Sequence, residues 1–152
     1  YSMAGMRIGW VISSPENIET MQRPHMFIST TENTASQWAA VAALNGDQSC
    51  VDEMVAAYRE RRDRVVELVS AAPHLTAYSP GGAFFITPSL PAGTDGFDVA
   101  MRMLTEARVC TVPGGAFGES CRNALRISFA TSMDIIENAF ARIIPWLEKQ
   151  SF

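Results

Sequence analysis

Lysine is nearly missing from this chain: of 12 basic side chains in 152 residues, 11 are Arg and one is Lys, at position 149. Chemistry that needs an amine nucleophile therefore has one candidate, and Lys149, beside Gln150 in what reads as a final helical turn, has the setting of a solvated helix-end cation. Histidine is almost as scarce. His25 and His74 have no acidic or cysteine partner at ligand spacing, so no metal centre is expected. A Ser-His-Asp triad would have to draw on the same two histidines, and no Gly-x-Ser-x-Gly elbow is present to place a nucleophile. The three cysteines, Cys50, Cys110 and Cys121, form neither a Cys-x-x-Cys pair nor an even framework. Free thiols in a reducing compartment, by default the cytoplasm, are expected. No apolar run approaches the ~18 residues of a membrane span, and no secretory leader opens the chain. A basic surface is lacking too: the formal net charge is −4, which argues against nucleic-acid binding because counterion release needs clustered cations. The densest basic run, Arg59 to Arg64, has acids inside it and reads as a solvated helix face.

What is present is enough apolar material for a core, 47% of residues against 18% charged, in a length that suits one ordinary domain or a large fragment. Residues 6–12 read as a strand ending at Ser13-Ser14-Pro15. Ser14 and Pro15 then open a helix to Phe27, with Pro24 expected to bend or end it. A second helix spans Thr34 to Leu44, with Ala35, Trp38, Ala39, Ala42 and Ala43 as its narrow packing face, and Asn45-Gly46 stops it. Ser49 to Asp52 has capping-box spacing and opens a helix of about seven turns, with Val51, Met54, Val55, Tyr58, Arg62, Val65 and Val69 on one stripe. Short strands are expected at 75–78, 83–87, 109–112 and 124–130, with a helix from Phe97 to Ala107 between the second and third. Thr131 to Asp134 is a second candidate capping box. The last helix buries Ile136, Ala139, Phe140, Ile143 and Leu147, and Pro145 is expected to kink it. The whole reads as α/β leading into a compact α+β unit.

Two arginines stand out by context. Arg7 lies in Gly5-Met6-Arg7-Ile8-Gly9, and Arg126 lies inside Ala124-Leu125-Arg126-Ile127-Ser128-Phe129. A charge on an otherwise apolar strand is expensive unless an anion compensates it, so each is a candidate anion ligand, and equally each could sit on the solvent face of its strand. A guanidinium suits phosphate and carboxylate alike, because its planar fork donates two parallel hydrogen bonds. The stretch Gly114 to Gly118 is rich in glycine but is neither Gly-x-Gly-x-x-Gly nor a phosphate-binding P-loop, and taken alone it is a loop that needs backbone freedom.

These segments together resemble the class I/II aminotransferases, pyridoxal-phosphate enzymes of fold type I. Ser2-Met3-Ala4-Gly5-Met6-Arg7-Ile8-Gly9 is similar to the second half of that family's active-site signature. Asn33 to Gly46 resembles its small-residue helix, and Pro80-Gly81-Gly82-Ala83-Phe84-Phe85 its Gly-Ala-Phe-Tyr strand, with Phe85 at the usual Tyr. Val112 to Gly118, followed by Leu125 to Ala130, is similar to the family's Pro-Gly-x-x-Phe-Gly loop and Arg-Ile-Ser-Phe-Ala strand. The four motifs keep the family's order across essentially the whole chain.

The resemblance implies that Arg7 binds the phosphate of pyridoxal 5′-phosphate and Arg126 the α-carboxylate of an amino acid. The Schiff-base lysine of the signature would lie two residues ahead of Tyr1, so no catalytic residue is expected within the chain. Because the chain begins at Tyr1 inside a motif, it is expected to be the C-terminal portion of a longer enzyme. By resemblance, residues 1–46 end the large cofactor domain, 47–72 form a long interdomain helix, and 73–152 form the α+β small domain that closes on substrate, Gly114 to Gly118 lying over it. An amino acid and a 2-oxo acid are the implied reactants, and a homodimer is the implied assembly. A lyase of the same fold, and an aminotransferase-like effector domain of a transcription regulator, are the alternatives.

Overall fold

Pro15 opens the first helix, α1 (Pro15–Ile28), where its fixed φ and missing N–H cost nothing, and the Ser14 hydroxyl accepts the Asn17 N–H. The helix runs through Pro24 instead of ending there. It is exposed along almost its whole length, so the carbonyl that loses its donor has water within reach. The next helix, α2 (Thr34–Asn45), is capped by the Asn33 side chain, which accepts the Ser36 N–H at 3.1 Å. Its inward face is Ser36, Ala39, Ala40 and Ala43, whereas Trp38 is 70% exposed and Ala42 is also outside. Of the expected face, Ala39 and Ala43 do turn inward, while Ala35, Trp38 and Ala42 lie outside. The third helix, α3 (Ser49–Ala71), starts as expected, but no Ser49 capping box forms. The Asp47 carboxylate takes the Ser49 N–H at 3.1 Å and the Ser49 hydroxyl instead, and these hydrogen bonds hold the Asp47 carboxyl below its ordinary range.

This computed structural model describes residues 1–152, in two units, Tyr1–Met54 and Val55–Phe152. In the first unit the expected strand over 6–12 does not exist. A 3-10 turn, Ala4–Met6, is followed by irregular chain as far as Pro15. A strand needs a neighbour for its N–H and C=O groups, and no segment of this unit supplies one. Ser36 is the unit's one buried residue, while Trp10, Ile12, Phe27, Ile28 and Trp38 lie open.

The second unit is built on three short strands: β1 (Phe85–Ile86), β2 (Val112–Pro113) and β3 (Leu125–Ser128), in the antiparallel order β1-β3-β2. β1 and β3 fall inside segments expected to be extended, and β2 overlaps the expected 109–112 only at Val112. The remaining expectation, 75–78, survives only as an isolated bridge between Thr76 and Ser89. Pro113 is tolerated because β2 is an edge strand. Between β1 and β2 the helix α4 (Gly96–Arg102) passes into a wider π-helical turn, Met103–Ala107, where one uninterrupted helix was expected.

Alternation along β3 divides the unit into two faces. Leu125, Ile127 and Phe129 are 0%, 9% and 1% exposed and join one apolar cluster with Val65 and Val69 of α3, Val99 of α4, Met103, and residues of the last helix, α5 (Met133–Leu147). From α5 come Ile136, Phe140, Ile143, Trp146 and Leu147, which is the expected face with Trp146 added and Ala139 only partly buried. Its N-cap is Ser132, so Thr131 and Asp134 do not stand in a capping-box relation. Pro145 lies in the final turn, and only two residues of α5 follow it. The other face of β3 carries Arg126 and Ser128.

Candidate functional site

Arg7 departs from the strand setting expected of it. It directly follows the 3-10 turn, is exposed, and adopts the left-handed conformation at φ 51° and ψ 41°. That conformation is uncommon for a residue with a β-carbon. It is fixed from two sides: the Arg7 N–H donates to the Ala4 carbonyl, and the Ser36 hydroxyl donates to the Met6 carbonyl at 2.9 Å. The helix cap at Asn33 thus orders the start of α2, and α2 through Ser36 pins the turn that presents Arg7. One guanidinium N–H reaches back to the Ala4 carbonyl at 3.2 Å, and the remaining donors have no partner in the chain.

Arg126 sits at the centre of the sheet, paired across β2 with Val112 and two residues from Ser128, which pairs with Phe85 of β1. Side chains directly opposite share a face, so Arg126, Ser128, Phe85 and Val112 stand together on the side away from the core. The Arg126 guanidinium carbon lies 4.1 Å from the ring centroid of Phe117 and 5.0 Å from that of Phe85, both within cation–π range. It makes no hydrogen bond or ion pair within the chain. Arg122, four residues earlier, is the contrast: it engages both Asp95 and Glu119. The guanidinium is thus half-buried between two rings, with all its donors uncommitted and free to bond an oxyanion.

The entry to β3 is held by backbone. The turn at 121–124 is gripped by the Gly96 N–H on the Arg122 carbonyl and the Gly114 N–H on the Ala124 carbonyl, each at 2.8 Å. A β-carbon at Gly114 would stand 2.3 Å from the Cys121 oxygen, and one at Gly96 the same distance from the Ala124 oxygen. Gly114 is therefore required by close approach of backbone within the unit. Asp95 caps α4 through the Phe97 N–H at 2.8 Å and also pairs with Arg122. Those two partners, the backbone first, hold its carboxyl below the ordinary range.

Sequence reasoning singled out Arg126 but not the rings that flank it. Phe85 and Phe117 both stood inside quoted motifs, yet nothing in the sequence says that they close on one side chain. Only the β1-β3-β2 register brings them together. His25 meets Glu32 at 2.9 Å and His74 lies against Phe152. The three cysteines are free.

Residues 1–143 match the family described as aminotransferase class I and II, and the chain belongs to that family. It is 37% identical over 149 residues to the aspartate aminotransferase of Bacillus sp. (strain YM-2), an alignment covering 94% of this chain and 38% of that protein. It is 36% identical to a probable aspartate aminotransferase of Methanocaldococcus jannaschii, over 94% of this chain and 39% of the relative. Among solved structures, the aromatic aminotransferase of Pyrococcus horikoshii OT3 superposes with a TM-score of 0.90 at 34% identity, over 97% of this chain and 40% of that one. The fold is accordingly that of part of a fold type I aminotransferase. The chain spans about two fifths of the length of these relatives.

Proposed function

We propose that these residues form the C-terminal part of a pyridoxal-phosphate-dependent aminotransferase, which moves an amino group from an α-amino acid to a 2-oxo acid. The observation that carries this reading is the Arg126 guanidinium, held between Phe85 and Phe117 and left without an acidic partner. Two parallel charge-assisted hydrogen bonds from it to an α-carboxylate would fix the orientation of the substrate's Cα. Arg7 fits the phosphate of the cofactor: it is exposed, its backbone is pinned, and a single donor is spent on Ala4. Pyridoxal 5′-phosphate, when bound, supplies an electron sink for bonds at the substrate's Cα. The residues of this chain bind and orient, and the reactive lysine is assigned to the longer protein. Lys149, just past the end of α5, has no part in it.

On this reading residues 1–46 complete the cofactor domain, 47–72 form the connecting helix and 73–152 form the small domain. On the same reading the enzyme works as a homodimer in the cytoplasm, a reducing compartment that suits three free cysteines.

The test is a pair of variants in the full-length protein. Arg126→Ala is expected to raise KM for the amino acid by roughly a hundredfold, from the loss of about 3 kcal/mol of charged hydrogen bonding, with cofactor affinity unchanged. Arg7→Ala is expected to do the reverse. Equal effects of both changes on both ligands would sink the assignment, and release of ammonia rather than transfer of the amino group would favour the lyase.

A further inference from the structure

Arginine is a poor anchor when its side chain is free, because a long flexible chain must lose its rotamer freedom each time a ligand binds. An acidic neighbour would restrain it, but would also take the donors that a carboxylate needs. No acidic side chain of this chain pairs with Arg126: Val112 stands opposite it in the sheet, and Phe85 and Phe117 lie within cation–π reach. The two rings offer restraint of a different kind. A ring face attracts the cation through its quadrupole and excludes water, yet accepts none of the five N–H groups in the manner of a carboxylate.

We propose that Phe117 and Phe85 are positioning residues, which hold the Arg126 guanidinium ready for a carboxylate and thereby set how strongly the site prefers amino acids to the corresponding amines. This rests on the reading of Arg126 as the carboxylate ligand. Phe117 is the nearer ring, at 4.1 Å, and it lies at the end of a 3-10 turn that begins at Gly114 and is followed by Gly118 at φ 131°. That turn is anchored by the Gly114 contact with the 121–124 loop, so the ring reaches Arg126 from a fixed base. Phe85 closes the other side from the neighbouring strand. The clamp lowers the ordering cost of binding a carboxylate and does nothing for a substrate that lacks one.

The experiment uses the full-length, cofactor-loaded protein, with its best α-amino acid and the amine obtained by removing that amino acid's carboxylate. The readout is the ratio of kcat/KM for the two, together with calorimetric titration of the 2-methyl amino acid, which binds but has no Cα proton to lose. Phe117→Leu keeps an apolar side chain of similar size without a ring face. At a position 52% exposed in this chain it should leave folding intact. It is expected to lower the ratio about tenfold, mainly through KM for the amino acid, and to weaken the 2-methyl analogue by a similar factor. Phe117→Tyr, which restores the ring, should stay within about twofold of the parent. If Arg126→Ala collapses the ratio and Phe117→Leu leaves it intact, or lowers both substrates alike, the clamp is wrong and the carboxylate assignment stands. If Arg126→Ala itself leaves the ratio unchanged, both fail.

Discussion

Gly114→Ala is the most informative single change in this fold, because the same substitution one residue later provides its control. The new β-carbon would lie 2.3 Å from the Cys121 carbonyl oxygen, 2.8 Å from that of Ala124 and 3.0 Å from the Ala124 β-carbon. The first two obstacles are backbone, so no side chain can rotate aside. Restoring ordinary contact requires the 121–124 turn or the Gly114 turn to move by roughly 1 Å. Overpacking of this kind costs about 1–3 kcal/mol, and weakening the Gly114 hydrogen bond to Ala124 adds about 1 kcal/mol. A total of about 2–4 kcal/mol corresponds to a drop of about 1–2 M in the urea midpoint at an unchanged slope. At Gly115 the nearest atom to an added β-carbon is the Arg122 α-carbon at 3.8 Å, an ordinary contact. Gly115→Ala should therefore be neutral or stabilising by up to about 1 kcal/mol through reduced freedom of the unfolded chain. Paired urea titrations of the two variants, followed by circular dichroism, give the comparison. Coincident midpoints would refute the argument that close backbone packing requires this glycine.

Phe140→Ala removes a ring 1% exposed at the centre of the α5 face, and should cost about 3–5 kcal/mol in the same titration. The Arg64 guanidinium donates from α3 to both Glu137 oxygens on α5, with Glu67 as a further partner. That bridge holds the Glu137 carboxyl below its ordinary range. A depressed carboxylate contributes stability that is present above the ordinary value of about 4.3 and fades as pH falls through the depressed one. Arg64→Ala should thus lower the melting temperature at pH 7, and the difference from the parent should shrink as the solution is acidified below that value. A difference that persists undiminished in acid would show that packing, not the ion pair, carries the effect.

Helices were legible because their signals are local. Ser14-Pro15 and the stripe on α5 act within a few residues of themselves, and both ends of α1 and α2 fall within a residue of expectation. The short strands of the second unit were legible in position for a related reason, since β-branched and aromatic runs are bounded by Gly and Pro. What the sequence could not carry is pairing. Residues 6–12 have the composition of a strand and no partner in their unit, so Arg7 lies on an exposed turn and not inside a sheet. Trp38 illustrates a related limit for helices: period places Ala39 and Ala43 on the inward face, but does not fix where that face ends, and Trp38 lies beyond it. At the candidate site, the cost of a charge on an apolar strand pointed to Arg126. Its two flanking rings come from distant strands and turns, and only the register across β3 brings them to it.

The N-terminal unit turns Ile12, Phe27 and Ile28 outward at 89%, 88% and 81% exposure, with Trp10 and Trp38 also open. The consequence is colloidal. Apolar surface on this scale, with one buried serine behind it, favours association with whatever apolar surface is at hand. Residues 1–152 produced alone would scatter light increasingly with concentration. Any assay on them must separate self-association from ligand binding before a dissociation constant is read.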